Sequence, residues 1–169
     1  SRNYSIVAAS QTAQDYAASA VAPSAASFLG ADLVTQGNWR GRYGGDGYAV
    51  FSDSTSYPAY AVVTATGKSD YVWAAQPDAD ARALQRGVAA GRIAACWYSG
   101  SSFSVDVNLT DQASHQVALY LLDWDGINRV TQVDVLDAAT QQLLATHTVQ
   151  SYQSGVYLLW TLRGHVTLR

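Results

Sequence analysis

A chain of 169 residues with a net charge of −3 and 14% charged residues is long enough for one domain, burying about two-thirds of its unfolded surface without a metal or disulfide staple. Its single lysine (Lys68) and nine scattered arginines form no basic run of the kind that grips phosphate backbones, which speaks against nucleic acid as a partner. No apolar run approaches the roughly 18 residues that a membrane-spanning helix needs.

Residues 1–26 differ in composition from the rest. Ala, Ser, Thr and Gln dominate, the composition of an arm or linker. Within it, residues 4–10 are β-capable, with Tyr4, Ile6 and Ala8 on one face. That is the length and pattern of a strand donated to a neighbouring copy, main-chain bonds supplying affinity and side-chain pockets the register. An arm folded back on its own domain is the alternative. Methionine is absent, so the chain reads as a processed protein or a fragment; loss of a signal peptide would place it outside the cytoplasm, extracellular or at the cell surface.

Residues 27–169 read as a β-sandwich domain. Phe28-Leu29 and Leu33-Val34 flank Gly30 as a strand with a break. Thr35 to Phe51 then holds five glycines among seventeen residues, with Trp39, Tyr43, Tyr48 and Phe51 between them. Glycine at this density lets other groups approach the backbone closely, and large rings at short intervals need something to pack on or to hold. Ala59 to Thr66 and Tyr71 to Ala75 read as strands joined by the Gly67-Lys-Ser-Asp70 turn. Asp78 to Arg86 reads as one short helix (about 78–86), with Ala, Leu, Gln and Arg in its body, acids in the first turn and Gly87 after its end. Arg92 to Tyr98 is a strand, and its lone Cys96 reads as a small buried hydrophobe rather than a nucleophile.

From Phe103 the chain is strand after strand. Phe103, Val105, Val107 and Leu109 alternate with Asp106 and Asn108, one face inward and one outward. Val117 to Leu122 is apolar on both faces and reads as a central strand; Val130 to Leu136, Leu143 to Val149, Val156 to Leu162 and Val166 to Leu168 follow. About ten strands at 8–12-residue spacing predict an all-β fold, an antiparallel jelly-roll-like sandwich, with a closed barrel as the alternative.

His115, His147 and His165 lack any metal-ligand spacing, and neither a Gly-x-Ser-x-Gly elbow nor a phosphate-binding Gly-x-x-x-x-Gly-Lys occurs, so the chain reads as non-catalytic. Asp123 and Asp125, two apart at a strand end before Gly126, are candidate calcium ligands with help from Asp46 or Asp53; a solvated turn is the plainer reading. Sugar rings stack on exposed aromatic faces, and Trp39, Tyr43, Tyr48, Trp73, Trp97, Tyr98 and Trp124 are the candidates. Trp97 and Trp160 read as core. Trp39, Tyr43, Tyr48 and Trp124 carry the glycan expectation.

Several segments together resemble a module of large secreted bacterial proteins. They are Thr35-Gln-Gly-Asn-Trp-Arg-Gly-Arg-Tyr-Gly-Gly-Asp-Gly-Tyr48, Asp80-Ala-Arg-Ala-Leu-Gln85, Phe103-Ser-Val-Asp-Val-Asn-Leu-Thr110, Val117-Ala-Leu-Tyr-Leu-Leu-Asp-Trp-Asp125 and Gly155-Val-Tyr-Leu-Leu-Trp160 with Gly164-His-Val166. The resemblance spans about residues 27–169 and is to carbohydrate-binding, galactose-binding-like β-sandwiches that accompany glycoside hydrolases and adhesins. Two expectations follow. The first is a structural subunit of an extracellular assembly, a filament joined to copies of itself through the N-terminal arm. The second is a polysaccharide-binding module of a larger secreted protein.

Overall fold

Val156–Arg163 has apolar residues on both faces, and both layers of the fold are built against it. The computed structural model describes residues 22–169, so the arm residues Tyr4, Ile6 and Ala8 lie outside the described residues. The described strands are β1 (Ala25–Asp32), β2 (Tyr48–Val50), β3 (Ser54–Ser56), β4 (Ala61–Thr66), β5 (Ser69–Ala74), β6 (Leu84–Gln85), β7 (Arg92–Tyr98), β8 (Ser104–Leu109), β9 (Ser114–Leu121), β10 (Val130–Asp137), β11 (Leu143–Gln150), β12 (Val156–Arg163) and β13 (His165–Leu168). All named strands pair antiparallel.

A five-stranded sheet, β11-β10-β13-β8-β4, and a three-stranded sheet, β1-β12-β9, enclose the main core. From β12, Val156, Leu158, Trp160 and Leu162 point into it and meet Val133 and Val135 of β10, Val107 and Leu109 of β8, and Val166 and Leu168 of β13. Each such side chain contributes about 2 kcal/mol by leaving water. The indole N–H of Trp160 has no hydrogen-bond acceptor among the described residues; the Phe28 ring of β1 stands 4.9 Å from it, tilted by 60°, and stacks in turn on His147 of β11. The all-β sandwich expected from the strand spacing is therefore present, with thirteen strands, and the pairing does not establish a jelly-roll order. The break expected at Gly30 is a bulge, where the β1–β12 register shifts between Phe28 and Gly30.

The opposite face of β12 is covered too. Tyr157 and Leu159, with Ala118 and Tyr120 of β9, lie under an outer layer made of the glycine-rich segment and the small sheet β5-β7-β6, which supplies Trp39, Tyr43, Tyr48, Val50, Leu84, Ile93 and Ala95. β4 and β8 pair from Ala61↔Leu109 to Thr66↔Ser104, and β5 and β7 continue the same pairing from Ser69↔Tyr98 to Ala74↔Ala94. The four strands thus form one long two-stranded ribbon. It starts in the five-stranded sheet, bends at Gly67 (φ +74°), and delivers β7 to the outer face of the three-stranded sheet.

Three expectations are corrected. Asp78 to Arg86 is not a helix: Leu84–Gln85 pairs with Ile93 and Arg92 as β6, and the preceding residues form turns in which the Asp80 carboxylate accepts from the Arg82 backbone N–H and guanidinium. Nine residues with one large apolar side chain make too short a helix to hold against that pairing. β9 lies at the end of its sheet, and the central strand is β12. Trp97 is half-buried rather than core, stacked on Phe51 at 3.8 Å with the Lys68 ammonium 4.9 Å from its ring.

Candidate functional site

The glycine-rich segment and the residues around β6 are tied to the outer face of the sandwich by the polar tips of buried and half-buried rings. Trp39 Nε1 donates to the Gln85 carbonyl (2.8 Å), Tyr157 Oη to the Gln36 carbonyl (2.6 Å) and Tyr120 Oη to the Arg82 carbonyl (2.8 Å). Gly37 closes the seam: its N–H donates to the Ala81 carbonyl, its carbonyl accepts from Gln85, and a Cβ there would collide with the Ala83 carbonyl. The sequence expectation of an exposed Trp39 is overturned. The residue is 7% exposed, with its ring tilted by 44° against Tyr48 at 4.9 Å and backed by Gly44.

Two shallow, open clefts adjoin on this segment. One, of about 380 Å³, is lined by Trp39, Tyr43 and Tyr48, by Arg40 and Arg42, and by glycine backbone. The other, of about 510 Å³, is lined by Asp32, Val34, Thr35, Asn38 and Arg42. Arg42 is common to both. Three of the four aromatic residues expected to hold a glycan therefore come together in one cleft. The fourth, Trp124, sits on another loop, with the Arg82 guanidinium 4.7 Å from its ring.

Asp32 organises the wall between the clefts. It accepts from the Val34 and Thr35 N–H groups (2.8 and 3.0 Å), from Thr35 Oγ1 and from Tyr43 Oη (2.7 Å). Burial pushes its pKa up, but these hydrogen bonds outweigh it and hold the carboxyl well below the usual carboxylate range. Burial and the hydrogen bond to Asp32 raise the Tyr43 phenol in turn. Arg42, with its side chain 67% exposed, approaches Asp32 at 4.0 Å.

The carboxylates considered for calcium are placed differently. Asp123 is fully buried and accepts from the Asn128 and Arg129 N–H groups and from the Arg129 guanidinium; Asp125 closes on the same guanidinium. Asp46 accepts from Tyr60 Oη at 3.1 Å, within the glycine-rich segment. Among the described residues no group of three or more His, Cys, Asp or Glu side chains could hold a metal ion. A pair of carboxylates occupied by one guanidinium does not fit an ion that wants six to eight oxygens.

The histidines have separate partners. His115 meets Asp111 and stacks on Tyr60, His165 meets Asp106, and His147 stacks on Phe28. Cys96 is half-buried in β7, where burial, partly opposed by Arg129, pushes its thiol up to about 11, so little thiolate exists at neutral pH. Tyr71, Trp73 and Tyr98 form a second aromatic group on the small sheet, with Tyr71 edge-on to both neighbours at 5.8 and 6.4 Å. Tyr71 and Tyr98 are about half exposed.

What sequence reasoning missed is Arg92. Its Nη1 donates to the Ala83 carbonyl (2.8 Å) and its Nη2 to Asn38 Oδ1 (2.5 Å), which brings a third guanidinium to the residues lining the clefts from fifty positions away in the chain. No local pattern marks such a residue. Comparison of the chain with family models, with curated proteins and with solved structures finds no match.

Proposed function

We propose that this chain is a non-catalytic binding module for glycans, acting outside the cytoplasm, and that the glycine-rich clefts are its site. The observation supporting this reading is the gathering of Trp39, Tyr43 and Tyr48 with Arg40 and Arg42 around one open cleft whose remaining wall is glycine backbone. Ring edges and faces offer apolar surface to a sugar, guanidinium groups and backbone offer donors to its hydroxyls, and a shallow shape admits a chain that continues at both ends. The test is affinity electrophoresis against a panel of neutral and acidic polysaccharides. Retardation by at least one polysaccharide, weakened tenfold or more in Arg42→Ala and unchanged in Trp124→Ala, is expected. Free migration through every gel, or full retention of binding in Arg42→Ala, would remove the cleft from consideration.

A second reading, assembly of copies, is favoured by a different observation. β5 is the end strand of its sheet, Ser69 to Val72 are exposed, and among the described residues no strand pairs with its outer edge. Such an edge accepts an added strand, and residues 4–10 have the alternation to supply one. Light scattering on the intact chain and on one lacking residues 1–21 tests it. This deletion keeps Pro23, whose carbonyl accepts from Arg163, and Ser24, whose hydroxyl donates to the His165 carbonyl. A large intact species with an 18 kDa-or-smaller truncated one supports assembly through the arm; monomers in both cases eliminate it.

A further inference from the structure

We propose that the cleft selects a sugar bearing a carboxylate, a uronic acid within a glycan; this rests on the glycan-binding reading and narrows its ligand. The reason lies in how the cations are paired. Lys68 is held by Asp70, Arg82 by Asp80, Arg86 by Asp53, Arg129 by Asp123 and Asp125, and Arg169 by Asp134. Among the described residues, Arg40, Arg92 and Arg163 have no carboxylate within 4.0 Å, and Arg42 reaches Asp32 only at that limit. Arg163 is at the opposite end of the chain's pairing, donating to the Pro23 carbonyl. Of the other three, two line the clefts and the third bonds a residue that does. Arg40 and Arg42 line the narrower one, Arg42 and Asn38 line the wider one, and Arg92 holds Asn38. In a chain of net charge −3, this concentrates positive charge that has no close carboxylate among the described residues at a surface where aromatic rings and glycine backbone also converge.

The acids nearby do not answer it. Asp32 has its oxygens engaged by four donors from Val34, Thr35 and Tyr43, and Asp46 accepts from Tyr60. Arg40 makes one bond with its guanidinium, Nη2 to the Ala89 carbonyl at 3.2 Å, which leaves most of its donors to solvent. A guanidinium presents two parallel N–H groups that match the two oxygens of a carboxylate, and a charged acceptor makes such bonds about twice as strong as a neutral one. A neutral sugar would offer Arg40 and Arg42 only single, uncharged hydroxyl acceptors. A hexuronate places a planar carboxylate at the edge of a ring whose other face is apolar enough to lie against Tyr43 or Tyr48.

The experiment is calorimetric titration with oligogalacturonate and oligoalginate, each beside its carboxyl-reduced counterpart, on the wild-type chain and on Arg40→Gln and Arg42→Gln. Both arginines are exposed, so neither variant disturbs packing, and circular dichroism verifies the fold. The expected result is binding of at least one acidic oligomer that weakens tenfold or more on carboxyl reduction, weakens similarly in both variants, and falls as salt is raised. Equal binding of acidic and reduced oligomers overturns the carboxylate assignment and leaves the glycan reading standing. Binding of the reduced forms alone does the same. Failure of every oligomer, acidic and neutral, overturns both.

Discussion

Asp32 shows how one side chain ties local structure to pH. Its carboxylate gathers four donors from a turn and from Tyr43, and its pKa lies well below the usual carboxylate range as a result. The folded state therefore holds this proton less tightly than the unfolded chain does. The stability this confers is present above about pH 4, the unfolded value, and is lost as pH falls from there through the folded value. Asp32→Asn is expected to cost about 2 kcal/mol at pH 7, since an amide leaves donors unanswered. In urea unfolding at pH 3 the gap between variant and wild type should be narrower; an undiminished gap would show that the loss is steric. At this scale the sequence was partly legible. Tyr43 and Tyr48 could be singled out because rings among glycines need a partner. That Trp39 is buried could not, because its cover comes from Gln85 and Tyr48 through the tertiary fold. Arg92 left no local trace at all.

Among the elements, the bent ribbon of β4, β5, β7 and β8 is the one that carries the site. Its first half belongs to the five-stranded sheet and its second half supplies Ile93 and Ala95 to the surface beneath the glycine-rich segment. The change of layer occurs at Gly67, whose positive φ an L-residue adopts at a cost of about 1–2 kcal/mol. Gly67→Ala is expected to lose about that much stability in denaturant titration; a Cβ there would meet Phe103 and Ser102 only at an ordinary 3.9–4.0 Å, which rules out a clash as the cause. No change in midpoint would mean that the bend resides elsewhere in the ribbon. The strands themselves were legible where one face alone is buried: alternation marked Val105, Val107 and Leu109. Where both faces are buried the pattern fails, since an apolar run reads the same for β9 and β12. The 78–86 segment misled for a different reason. Its propensities favour helix, but its backbone groups go to Gly37, distant in the chain, and to β7 across a short turn.

For the molecule as a whole, two cores share one strand. Tyr157 and Leu159 serve the outer layer while Val156, Leu158, Trp160 and Leu162 serve the inner one, so β12 is the part least able to open locally. Amide hydrogen exchange should find Leu158 to Leu162 among the slowest positions, and Ser69 to Val72 of the edge strand among the fastest; comparable protection at both would show β5 to be covered. β12 begins at residue 156 of 169, and its partner β1 begins at residue 25. During synthesis, at about 5–20 residues per second, β1 waits many seconds for the strand it pairs with. β13, which joins β10 to β8 in the five-stranded sheet, comes later still, so neither core can close before β12 and β13 are made. Both cores thus stay open until β12 and β13 have left the ribosome, and the clefts on the outer layer take shape only after that.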